Sequence, residues 1–88
     1  MYVLITDNTA TQVAGGAIRK VIVQVNAALT GNIKVIDNTT GTTANVATIT
    51  DPACGARFEY WNFATGVRII ASTTCNITVS VDGGRGAK

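Results

Sequence analysis

Turn-forming residues recur every eight to twelve positions along this chain, and the runs between them are rich in Val, Ile and Thr. That spacing admits short strands joined by tight turns, as in a sandwich or small barrel. It leaves no room for parallel crossovers, which need a dozen or more residues. β-branched side chains favour the extended backbone, and helical patterning is scarce. The pattern predicts seven strands: 2–6, 17–26, 33–37, 44–50, 57–63, 67–71 and 75–81. In the last, Cys75, Ile77, Val79 and Val81 alternate with Asn76, Thr78 and Ser80, so one face is dry and the other wet. In the longest, Val21, Val23 and Val25 form the better core face against Lys20, Ile22 and Gln24. The polar stretch 7–12 is read as a connection, and Gly15-Gly16 as the opening of the second strand. The expected fold is all-β, a two-layer antiparallel β-sandwich of jelly-roll or immunoglobulin-like topology. A small closed barrel is the alternative.

The chain has 88 residues, which suits one domain. It is expected to span 1–82, with 83–88 as a flexible Gly-rich tail. Hydrophobic residues make up 47% of the chain, enough for a core. A domain this small buries only about two-thirds of its unfolded surface, so that core is marginal. Only 14% of residues are charged, against roughly 25% in an average domain. Thr and Asn must supply much of the surface polarity, which suits contact with other proteins as well as plain solvation.

Several function classes lose support. The net charge is +2 and the basic residues are dispersed, so no basic stripe marks a nucleic-acid site. No apolar run approaches the ~20 residues of a membrane span, and 1–7 does not read as a signal peptide. There is no histidine, which removes the commonest general base and metal ligand. Of the acids Asp7, Asp37, Asp51, Glu59 and Asp82, only Glu59 falls in the interior of an expected strand; Asp37 ends one. Asp37 and Asp51 flank turns and read as turn caps. Ser72 and Ser80 have no base to activate them. Gly83-Gly84-Arg85-Gly86 follows a strand but opens no helix, so it is not a dinucleotide loop. Cys54 and Cys75 are too far apart for a redox pair and too few for zinc. Free thiols are expected, although pairing stays open. The chain is expected to be no enzyme, with no catalytic residue, no cofactor and no metal.

Binding remains, and the residues 57–63 carry the signal. Four of the five aromatic residues lie there: Phe58, Tyr60, Trp61 and Phe63. Strand alternation puts Phe58 and Tyr60 on one face and Arg57, Glu59, Trp61 and Phe63 on the other. Trp, Tyr and Arg are the types that dominate interface energetics. Arg57, Glu59, Trp61 and Phe63 are therefore the candidate protein interface. Trp61 could instead pack within its own domain, or form a stacking platform for a sugar.

The stretches Val21 to Asp37, Phe58 to Ile70 and Cys75 to Val81 together resemble small proteins encoded among the structural genes of tailed bacteriophages and prophages. The resemblance covers about half the chain and is one of style more than of a signature motif. Such proteins are often capsid decoration (cement) proteins, small β-sandwiches or jelly rolls on the outer shell. The resemblance implies a virion structural protein on the capsid surface, assembled in the host cytoplasm. Its partners would be the major capsid protein and itself, as a homotrimer, with no nucleic acid and no membrane. A tail or head-fibre component is the alternative within that class. A carbohydrate- or host-surface-binding β-sandwich module is the alternative outside it. No family binding residue carries over.

Overall fold

The computed structural model describes residues 2–40 and 44–86, with backbone alone at 84–86. The described residues form seven strands and no helix: β1 (Tyr2–Ile5), β2 (Thr11–Val25), β3 (Asn32–Ile36), β4 (Asn45–Thr50), β5 (Arg57–Phe63), β6 (Gly66–Ala71) and β7 (Ile77–Gly86). All pairings are antiparallel and belong to one continuous sheet. The expected all-β class holds, and the arrangement is sandwich-like.

What turns one sheet into two layers is β2. This strand is 15 residues long and changes partners along its length. Thr11 to Gly15 pair with β6, whereas Ile18 to Gln24 pair with β5. The register against β7 slips between Gly15 and Ile18 and again before Lys20. Gly16 sits at the bend with φ +82, a conformation that L side chains rarely adopt. The bend separates a half with order β1-β7-β2-β5 from a half with order β2-β6-β3-β4. Both halves feed one apolar core, which includes Val21, Val23, Val25, Ile77 and Val79 from the first and Val13, Ile33, Val35, Val67 and Ile69 from the second.

The pairing is nested. With β2 divided at its bend, the chain has eight segments. The first pairs with the last, the second with β6, the third with β5, and β3 with β4. A long hairpin has this order. Two further pairings, β2 with β7 and β3 with β6, roll that hairpin up. β1, β4 and β5 each pair on one side only among the described residues, so the sheet does not close into a barrel.

Two expectations about strand limits are corrected. β2 begins at Thr11, so the polar residues Thr11 and Gln12 are strand and the Gly pair is an internal bulge. Gln12 looks like a surface residue, but its Nε2 donates to the carbonyls of Ala14 (2.8 Å), Asn38 (3.1 Å) and Val67 (3.1 Å). Neighbouring Val13 is fully buried. At the other end, β7 starts at Ile77 and continues to Gly86, and Arg85 and Gly86 pair with Gly15 and Ala14. That part of the expected tail is strand backbone because β2 extends alongside it; Ala87 and Lys88 lie outside the described residues.

Candidate functional site

The candidate face is built by the first half. The registers align its side chains in rows across β1, β7, β2 and β5. Val3, Val79, Val23 and Phe58 form one inner row, with Val81, Val21 and Tyr60 beside it. Phe58 and Tyr60 are half-buried against the core, as the alternation predicts. Burial raises the Tyr60 hydroxyl pKa. The outer rows are Tyr2, Ser80, Ile22 and Glu59, then Leu4, Thr78, Gln24 and Arg57, then Asp82, Lys20 and Trp61.

Three of the four expected interface residues stand on this outer face: Arg57, Glu59 and Trp61. Trp61 is 56% exposed, so it is not a core residue. Phe63 is the correction. It is only 3% exposed and belongs to the core. The reason is Asn62, whose φ is +62. Left-handed backbone at that residue breaks the two-residue alternation and turns Phe63 inward, opposite buried Ile18. Asn tolerates this conformation better than most residues, and that preference was the available signal.

The outer face is organised by charge. Lys20 Nζ lies 3.0 Å from Glu59 Oε1, and Arg57 Nε lies 3.7 Å from Glu59 Oε2. The Lys20 hydrogen bond and charge, with help from Arg57, hold the Glu59 carboxyl below its ordinary range. The same Lys20 ammonium sits 4.6 Å from the centre of the Trp61 ring, within cation–π range. Two residues that strand patterning did not single out complete the face. Tyr2 is 75% exposed and Leu4 is 60% exposed, both on β1. A shallow depression between the flanks is lined by Tyr2, Lys20, Ile22, Ser80, Val81 and Asp82. Arg19 pairs with Asp82 beside it.

The other acids hold turns. Asp37 accepts hydrogen bonds from the backbone N–H groups of Ala64, Thr65 and Gly66 at 2.9, 2.8 and 3.2 Å, which fixes the turn between β5 and β6. Asp51 Oδ1 accepts from the Gly31 N–H at 2.9 Å. Both acids therefore cap turns, but turns distant in sequence rather than the ones they flank. Cys54 and Cys75 are free thiols. Burial, helped by Asp7, raises the Cys75 pKa. Among the described residues no three His, Cys, Asp or Glu groups converge as metal ligands. Ser80 lies on the outer face near Lys20 and Asp82. What the face offers chemically is aromatic and aliphatic contact area, flanked by one compact cation–anion cluster.

Comparison with protein-family models, with curated proteins and with solved structures finds no match to this chain.

Proposed function

We propose that this protein is a capsid decoration protein of a tailed bacteriophage, docking on the major capsid protein through the outer face of β1-β7-β2-β5. The observation that carries the reading is the exposure of Trp61, Tyr2 and Leu4 on one sheet face. A small domain gains stability when such a face is covered in an assembly. Trp and Tyr are the residue types from which interface hot spots are made. The nested pairing fits a jelly roll with its second and third strands fused into β2, one of the two topologies the sequence leads one to expect. The resemblance of Val21 to Asp37 and of Phe58 to Ile70 to virion proteins supports the same role, which is non-catalytic.

Virions assembled without the protein test it. They should lose their contents at lower temperature, or on chelator treatment, than complete virions. Equal resistance would sink the cement role. Copy number separates the head from the tail: a head protein is present in hundreds of copies, a tail or fibre component in a few to tens. The exposed Trp61 beside Lys20 and Glu59 also favours a second reading, a carbohydrate-binding face. A glycan array on which the protein binds nothing removes it.

A further inference from the structure

The edge of β5 offers a second interaction surface, bordering the outer face and sharing Arg57 and Glu59 with it. β2 sits between β7 and β5, and its residues alternate in which neighbour they bond. The Asn26 N–H donates to Asn76, beyond the start of β7, whereas the Val25 N–H donates to Ala56, just before β5. Even residues of β2 thus turn their backbone groups to β7, and odd ones to β5. By register, Val23 and Val21 take the backbone groups of Phe58 and Tyr60. The backbone groups of Arg57, Glu59 and Trp61 must then point away from β2. β5 pairs with β2 alone among the described residues, so these groups form an open edge. At seven residues it is longer than the edge strands β1 and β4, which have four and six.

Open edges are templates for strand addition, and proteins commonly guard them with charge. Here the charges have opposite sign and alternate, Arg57 then Glu59. Such a strand is self-complementary when paired antiparallel with its own copy. Two-fold registers centred on Arg57 or on Trp61 set identical residues face to face with no opposite-charge pair; three further registers lie between them. Centring on Glu59 sets two carboxylates face to face. Centring on Tyr60 sets Glu59 against Trp61. Centring on Phe58 sets each Arg57 opposite the Glu59 of the second copy, twice. Each opposite-charge pair is worth about 0.2–1 kcal/mol, and like charges facing each other are destabilising. The Phe58-centred register therefore wins. It forms two reciprocal backbone bonds in each of the two Arg57–Glu59 pairs. It also brings the two half-buried Phe58 rings together on the inner face.

We infer that a second copy of this chain docks on the β5 edge, with the two β5 strands antiparallel and Arg57 of each facing Glu59 of the other. The product is a two-fold dimer, where the virion-protein resemblance implies a trimer. The sheet half then continues from one copy into the next, and the two Trp61-bearing faces lie side by side. This dimer does not depend on what the outer face binds.

Sedimentation equilibrium and amide hydrogen exchange on the full chain test it. The chain should pass from monomer to dimer between micromolar and near-millimolar concentration. The Arg57 and Glu59 amides should exchange slowly in the dimer and quickly on dilution. R57E and E59R each place like charges opposite one another, so each should self-associate at least about tenfold more weakly. An equimolar mixture of the two restores both opposite-charge pairs and should dimerise. A chain that stays monomeric throughout, or forms trimers, overturns the inference. So do single variants that dimerise as tightly as the parent, or a mixture that gains nothing. If either variant fails to fold, amide exchange in the parent decides: fast exchange at the Arg57 and Glu59 amides at every concentration overturns the inference.

Discussion

Lys20 Nζ stands 4.6 Å from the centre of the Trp61 ring, joining two adjacent strands across the outer face. The indole is propped in place by a cation that is itself tied to Glu59. Trp61 and Phe63, two residues apart, consequently have opposite roles. One is displayed, the other buried.

Alanine substitution should separate them. Trp61→Ala removes a mostly exposed ring and one exposed cation–π contact, worth about 0.5–1 kcal/mol. Phe63→Ala empties a core position and should cost about 3–5 kcal/mol. Chemical denaturation of both variants checks this. Trp61→Ala should stay folded and lose capsid docking. Comparable destabilisation by the two would mean that Trp61 is structural.

Asp37 should make stability depend on pH. Burial alone would raise its pKa, but three backbone N–H donors outweigh that and lower it. A depressed carboxylate stabilises the fold above its unfolded pKa, about 3.9. The contribution fades as pH falls through the lower folded value. Asp37→Asn should therefore lose about 1 kcal/mol at neutral pH, a figure already reduced for solvent screening. The variant and parent should converge in acid. Denaturation curves at neutral pH and near pH 3 measure the gap, and a gap that does not narrow on acidification would count against the turn-holding role.

Two glycines should respond differently to a methyl group. A Cβ on Gly66 would lie 2.7 Å from the Ala14 carbonyl oxygen and 3.2 Å from that of Asn38, both backbone. Neither can swing away, so Gly66→Ala should cost about 2–3 kcal/mol. A Cβ on Gly16 meets nothing within 4 Å. Only its positive φ opposes the change, at about 1 kcal/mol. Melting temperatures rank the pair, and Gly66→Ala should melt lower. The reverse order would show that the bend at Gly16, not the contact at Gly66, is the tighter constraint.

Local patterning read β5 in full and placed β3, β4 and β6 to within one residue. Their strand signal is local: alternating apolar residues bounded by turn formers. The start of β2 was hidden because Thr11 and Gln12 are polar, and the partners that satisfy Gln12 come from distant segments. The end of β7 was hidden because Gly-rich sequence carries no alternation; its pairing with Ala14 and Gly15 is what extends it. On the candidate face, Arg57, Glu59 and Trp61 were legible from parity alone. Phe63 was misplaced by one left-handed residue, Asn62. Tyr2 and Leu4 joined the face only once β1 was known to pair with β7.

The position of β7 has a consequence for how the molecule is made. It is the last of the seven strands in chain order, yet it lies between β1 and β2. A ribosome delivers it after every strand it must join. Until it emerges, β1 has no neighbour and the valines of β2 have a companion row on the β5 side only. The first half therefore cannot zip up during synthesis, strand by strand from the N-terminus, as many domains begin to do. Its closure waits on a non-local step, which is the slow kind. The nascent chain carries sticky Val and Ile faces through that delay. Crowded translation should be the moment at which this protein is most prone to aggregate.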